Sequence, residues 1–273
     1  MTSVVHSAAP TRRTSALRYR MPPVHEVVLS LMFEQSVEVA SLEALPQALK
    51  SQFAHIDRQE RVEFGMAIGP GGNQVSETKR EFDGWSMRDD GPTRVVSAGR
   101  KRLSINAVRP GEWPTGDYAG WNTIYEEASS LFGLLAPVYA GMKLERAGLR
   151  YLNRIAIPGG SELQEWFTIR FEAPVFLHDE YAINLRQTWA RAEGHDDLSV
   201  TLGLAMIEIP DATIREKNVG ILLDIEIFNL WKERAPSFVQ LPDWCRRAHD
   251  VEGDVFESCI TERLRERFGV SRS

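Results

Sequence analysis

The sequence predicts an α+β protein in which a duplicated strand-helix-multistrand-helix unit forms mainly antiparallel sheets with two long helices packed on them. Three observations support this fold class. Short runs of period-two alternation lie between turn signals, two long segments show helical periodicity, and the same order of elements occurs twice. The predicted organisation is a disordered basic tail over residues 1–20 and two α+β half-units, 21–141 and 142–273, packed as one globular body.

The first half-unit begins with a strand and ends with a long helix. Residues 25–33 are apolar on both faces, as expected for a central strand of a sheet. Residues 42–53 have the spacing of a short amphipathic helix, and residues 61–108 alternate in short runs between turns, which is typical of an antiparallel meander. Apolar side chains then recur at helical spacing over 121–138, and Asp117 is the expected cap of this helix.

The second half-unit repeats this order. Strands are predicted at 149–157, 181–192, 198–209 and 219–230, with a short helix after Ser161. The terminal segment 242–268 is predicted as a helix that Gly253 can interrupt. Two such units can join their sheets edge to edge or curve them around a central cavity.

Composition and charge exclude several classes of protein. No run approaches the roughly 18 apolar residues of a membrane span, and an apolar content of 43% is ordinary for a globular protein. The net charge is −6 although residues 1–20 carry four arginines and no acid, so the body of the chain is acidic. An acidic body disfavours nucleic acid as the main partner. Cys245 and Cys259 are expected to be reduced thiols in a cytoplasmic protein.

Charged side chains on two strands form the candidate binding site. Alternation along residues 149–157 places Arg150 and Arg154 on one face of the strand and Tyr151 and Asn153 on the other. All four are candidate ligand-binding residues.

The same rule places Asp224 and Glu226 together on one face of a later strand. If the two strands are neighbours or face each other, two cations and two anions meet. One interpretation is a site where the arginines bind an anionic group while the carboxylates bind a cation or act as acid and base. The other is a set of exposed ion pairs, each worth about 0–1 kcal/mol.

Other chemical motifs are missing from the sequence. There is no nucleophile elbow and no dinucleotide fingerprint, and the glycine-rich run Gly69–Asn73 lacks the lysine of a phosphate loop. Cys245 and His249 are one helical turn apart, but a single pair is expected to pack rather than to bind zinc. The sequence therefore predicts no metal and no cofactor.

An aromatic cluster precedes the first long helix. Trp113, Tyr118 and Trp121 lie close together in the sequence around its expected start. Such a cluster can bind a ligand, but we expect these rings to pack between the helix and the sheet.

Several of these residues resemble a known family. The matching segments are Pro22-Pro23 with Glu26-Val27, Gly148-Leu149-Arg150-Tyr151-x-Asn153-Arg154-Ile155, Leu223-Asp224-Ile225, and His249 followed by Phe256. Together they resemble a sporadically distributed family of uncharacterised bacterial proteins of about this size, over most of the chain from Met21 to about Phe268. The resemblance implies a bacterial cytoplasmic protein and carries no catalytic residues. It favours a structural or binding role for the arginines and Asp224.

The function predicted is that of a binding or protein-interaction protein. Its partner would be another protein, a second copy of the chain, or a small anionic ligand. A first alternative is an enzyme acting on an anionic small molecule in a cavity between the half-sheets, with Arg150 and Arg154 as anion clamp and Asp224 or Glu226 as metal ligand or base. A second alternative, an antitoxin, immunity or defence-associated component, rests on the patchy distribution of the resembled family.

Overall fold

The computed structural model describes residues 17–69, 72–91, 93–111, 118–169, 184–190, 197–231 and 235–272 of the chain. The strands are β1 (Leu17–Tyr19), β2 (Val24–Phe33), β3 (His55–Gly69), β4 (Gly72–Arg88), β5 (Arg94–Gly99), β6 (Arg102–Val108), β7 (Leu144–Pro158), β8 (Asn184–Trp189), β9 (Ser199–Ile207), β10 (Asn218–Leu230) and β11 (Val270–Arg272). The helices are α1 (Val39–Glu43), α2 (Leu45–Leu49), α3 (Trp121–Tyr139), α4 (Ala212–Arg215), α5 (Leu241–Cys259) and α6 (Glu262–Phe268), with 3-10 turns at Leu163–Glu165 and Phe238–Gln240.

Nine strands form one antiparallel sheet in the order β3-β4-β5-β6-β2-β7-β10-β9-β8, and β1 pairs with β11 separately. The α+β class and the antiparallel sheet are therefore confirmed. β2 and β7 are neighbours at the middle of the sheet. The strands that precede α3 and those that follow it are thus joined edge to edge in a single sheet.

The two faces of the sheet differ in composition because side chains alternate along each strand. In β2, Val27, Leu29, Leu31 and Phe33 are buried at 1–5% exposure, while Ser30 and Met32 between them point the other way. We call the side with the buried apolar residues the covered face and the opposite side the open face.

The helices α3 and α5, of 19 residues each, pack on the covered face. Their buried side chains join those of the strands in one hydrophobic core. Hydrogen bonds also tie them to the sheet. Tyr139 of α3 donates its hydroxyl to the carbonyl of Gly99 at 2.9 Å, and the indole of Trp244 in α5 donates to Asn229 Oδ1 at 2.6 Å. None of the described helices is long and apolar enough to cross a bilayer.

The C-terminal helix breaks at a position that the sequence did not indicate. Gly253 lies inside α5, so the predicted interruption there is wrong. The break falls at Ile260, whose backbone is extended and forms a β-bridge with Phe167. On either side of it, Thr168 donates to the carbonyl of Cys259 and Thr261 to that of Trp166, both at 3.0 Å. These bonds to a distant segment replace the helical ones.

Some predicted features lie outside the described residues. They include the tail over 1–16, the tip of the Gly69–Asn73 loop, and Trp113 and Asp117 ahead of α3. Leu17–Tyr19, the end of the predicted tail, forms β1, and Gly120 takes the N-cap position of α3.

Replacing Gly84 by alanine is expected to destabilise the protein by about 2 kcal/mol or more. Gly84 has φ +154°, and a Cβ there would lie 2.1 Å from the backbone carbonyl oxygen of Ala98, which cannot move aside alone. Chemical unfolding measures the effect. The matched control is Gly133→Ala in α3, where nothing lies within 4 Å of an added Cβ; it should stabilise by roughly 0.5–1 kcal/mol. If the two substitutions changed the free energy of unfolding equally, β4 could not lie as close to β5 at Gly84 as described.

Candidate functional site

The sheet divides the six candidate residues between its two faces. β7 and β10 are neighbouring antiparallel strands, with Glu226 directly opposite Arg150. The open face carries Arg150, Arg154, Asp224 and Glu226, and the covered face carries Tyr151 and Asn153. The predicted residues therefore belong to two distinct places in the molecule.

Arg150 and Asp224 form a bidentate ion pair on the open face. Arg150 donates from Nε to Oδ1 at 2.7 Å and from Nη2 to Oδ2 at 2.6 Å. The Asp224 side chain is only 12% exposed and that of Arg150 is 36% exposed. These hydrogen bonds raise the pKa of Arg150. The pair is well satisfied internally and fixes the geometry of both side chains.

Glu226 is paired with Arg146, a residue that the sequence reasoning missed. Nη2 of Arg146 donates to Glu226 Oε1 at 2.6 Å, and its Nη1 donates to Ser30 Oγ of β2 at 3.2 Å. A Cβ on Gly148 would lie 2.7 Å from both Arg146 Nη1 and Glu226 Oε1, so the glycine leaves the room that this pair occupies. Arg186 of β8 approaches Glu226 at 3.8 Å. The available signal was that Arg146 lies four residues before Arg150, on the same face.

Arg154 lies further along β7, beside His25 and Arg109. Burial lowers the pKa of His25, and the charges of Arg154 and Arg109 lower it further. The structure thus brings together Arg146, Arg150, Asp224 and Glu226, which we call the charged patch, and leaves Arg154 at its end.

Exposed apolar side chains flank the charged patch. Met32 of β2 and Leu230 of β10 are the cross-strand neighbours of Arg146 on its two sides, and they are 44% and 65% exposed. The Arg146 guanidinium also lies over the ring of Phe228 at 4.9 Å. A cleft elsewhere, between α3 and the sheet, is lined mainly by apolar side chains and by none of the four charged residues.

On the covered face, Tyr151 belongs to an aromatic group that links the sheet to both long helices. Its hydroxyl shares a hydrogen bond of 2.9 Å with His249 Nδ1 of α5. The Trp121 ring stacks on the imidazole, with centroids 4.3 Å apart and planes at 18°. Burial lowers the pKa of His249 to about 4, so the imidazole is neutral at pH 7. Asn153 is 1% exposed and donates to the Leu223 carbonyl at 3.3 Å, but its Oδ1 has no partner in the described part of the chain.

Glu252, one turn after His249 on α5, is a buried carboxyl that the sequence reasoning also missed. It is 5% exposed, and none of the described residues forms a hydrogen bond or ion pair with it. Burial raises its pKa to about 8, and the nearby charge of Glu257 adds to the effect. Burial raises the pKa of Tyr118 and of Tyr151, and the charge of Glu252 adds to both shifts. The sequence signal was an acid on the apolar face of an amphipathic helix, seven residues after Cys245.

Comparison with known proteins adds no assignment to this geometry. The chain matches no protein-family model, and no curated protein matches its sequence. Within the described residues, no group of three or more acidic, histidine or cysteine side chains could hold a metal ion. The charged patch and the aromatic group around Tyr151 are therefore the two candidate sites of the described chain.

Replacing Glu252 by glutamine is expected to remove a pH-dependent loss of stability. A carboxyl titrates near pH 4.5 when unfolded and near pH 8 here, so the unfolded state is favoured progressively as the pH rises between these values. The penalty is on the order of 3 kcal/mol by pH 7. The free energy of unfolding of Glu252→Gln should therefore rise relative to wild type from pH 5 to pH 8.

Asp250→Asn is the matched control, because Asp250 is exposed on the same helix. Its free energy of unfolding should stay parallel to that of wild type across this range. If the free energies of unfolding of Glu252→Gln and wild type differed by the same amount at every pH, Glu252 would ionise normally in the folded protein.

Proposed function

We propose that the protein is a binding protein that acts through protein–protein contact at the open face of its sheet, and that this face accepts a second copy of the chain. The observation that carries the proposal is a pair of adjacent rows of opposite charge. Arg146 and Arg150 form the cationic row on β7, and Asp224 and Glu226 form the anionic row on β10.

Such rows are self-complementary under two-fold symmetry. A two-fold axis that runs parallel to the strands, between β7 and β10 and above the open face, places β7 of one copy over β10 of the other. The arginine row of each copy then faces the carboxylate row of its partner. Two sheets packed in this way lie about 10 Å apart. The interface is isologous, as in most homodimers.

The residues beside the charged patch suit an interface. Met32 and Leu230 are exposed apolar side chains on strands that adjoin β7. Methionine and arginine are enriched at interfaces, and covering Met32 and Leu230 removes apolar surface from water. The ion pairs already hold their geometry before contact, which lowers the entropy cost of association.

The enzyme alternative receives less support from this geometry. Two nitrogen atoms of Arg150, Nε and Nη2, already donate to Asp224. An anionic substrate that bound there would have to displace this carboxylate. Arg154 lies beside His25 and Arg109 instead of beside Arg150 in an anion clamp.

The proposal also includes a duplicated origin for the two halves. β2 pairs with β6, the last strand of the meander that follows it, and β7 pairs with β10 in the same way. Each arrangement is followed by a 19-residue helix. The cytoplasm is the proposed compartment, because Cys245 and Cys259 are both buried free thiols.

Replacing Leu230 by lysine is expected to weaken self-association about tenfold or more, because it places an unpaired charge in the contact beside the charged patch. Sedimentation equilibrium over a concentration series measures the dissociation constant. Val239→Lys is the matched control, since Val239 is 77% exposed on the Phe238–Gln240 turn, away from the open face. It should leave the dimer intact. A wild-type chain that stays monomeric, or equal weakening by both substitutions, would refute the proposal.

A further inference from the structure

We propose a second site, for a small organic cation of the ammonium class, formed by Glu252, Tyr118, Trp121 and Tyr151 between the helices and the sheet. We call it the Glu252 site. It lies on the covered face and is independent of the dimer contact proposed for the open face.

Glu252 lacks a partner among the described residues. A buried carboxylate without a hydrogen bond or opposite charge costs several kcal/mol, and such groups are retained at binding sites. Glu257, one turn and a half further along α5, shows the contrast: Arg265 donates to it at 2.8 Å and the Tyr19 hydroxyl bonds to it as well. Glu252 has no such neighbour in the described residues. A ligand that carries a positive charge would supply the missing partner of this carboxylate.

Aromatic side chains lie near the Glu252 carboxyl. The charge of Glu252 acts on Tyr118, ahead of α3, and on Tyr151 of β7. Trp121, in the first turn of α3, lies against Tyr151 and His249, with ring centroids 6.4 and 4.3 Å apart. Aromatic faces attract organic cations, and several rings beside one carboxylate are the usual recognition set for ammonium groups. Trp121 and Tyr118 are only partly buried, whereas Tyr151 and Glu252 are 2% and 5% exposed.

Two further observations favour an organic ammonium ion. His249, stacked on Trp121, is neutral at pH 7 and therefore does not supply the missing positive charge. The Oδ1 of Asn153, two residues after Tyr151 on the same face of β7, is a second buried acceptor without a partner among the described residues. An N–H group of a ligand would satisfy it. The described part of the chain offers too few ligand groups for a metal ion in this place.

Binding at this site must be coupled to proton release. The titratable groups that interact with Glu252 are Tyr118 from the segment before α3, Tyr151 from β7, and Glu257 and Cys259 from α5; His249 lies one turn earlier on the same helix. None of these supplies a positive charge at neutral pH. The cation binds the ionised carboxylate, so below about pH 8 it must displace a proton. Affinity should therefore rise about tenfold per pH unit below that value and level off above it.

The test uses methylammonium, tetramethylammonium and choline as probes, with 3,3-dimethylbutanol as the uncharged isostere of choline. Thermal unfolding and titration calorimetry are recorded from about pH 6 to about pH 9. We expect at least one cation to raise the Tm of the wild-type protein, more so at high pH, with about one proton released per cation in neutral buffer. The isostere should have no effect.

Substitutions show whether the rise in Tm comes from binding at the Glu252 site. Glu252→Gln should abolish the Tm shift, whereas Asp250→Asn, on the exposed side of the same helix, should retain it. Trp121→Leu provides a second variant, which should weaken binding while leaving its pH dependence unchanged. Absence of a shift with every cation, or an equal shift in Glu252→Gln, would overturn the proposal. The oligomeric state of the same proteins, measured by sedimentation, does not depend on cation binding. Failure of the cation site would therefore leave the dimer proposal standing, and the reverse also holds.

Discussion

The antiparallel pairing of β2 with β7 is the contact on which the rest of the molecule depends. Its register sets Ser30 opposite Gly148 and Leu29 opposite Leu149, so the apolar residues of both strands point to one side. Only then can α3 and α5 cover a single continuous core. A slip of one residue would turn every side chain of β7 to the other face, which would bury its arginines under the helices.

Because β7 contributes to both faces, one strand supports two chemically different places. On the open face Arg146 and Arg150 pair with the carboxylates of Glu226 and Asp224 from β10. On the covered face Tyr151 meets His249, and the carboxyl of Glu252 nearby stays unpaired. Both places hold largely buried carboxylates. Those of Asp224 and Glu226 are 12% exposed and paired with arginines, whereas Glu252 is buried without a partner among the described residues.

The sequence was sufficient for features that depend on local periodicity. Alternation along single strands predicted the face on which Arg150 or Asp224 lies, and repeated period-two runs predicted an antiparallel sheet. It was insufficient where a residue's role depends on distant segments. Arg146 reaches Glu226 only because Gly148 leaves space and Ser30 arrives from β2. Helix α5 ends at Cys259 because the backbone of Ile260 pairs with Phe167, and Glu252 is buried only once the chain has folded.

The same central pairing has a consequence for synthesis of the chain on the ribosome. Ser30 and Gly148, which are hydrogen-bonded neighbours, lie 118 residues apart in the sequence. At typical elongation rates, β2 waits about 6–24 s before its partner strand is made. During that interval the nascent first half has β6 on one side of β2 and an unpaired edge on the other. This edge can pair with other chains, so chaperone protection of the nascent protein matters most before β7 emerges.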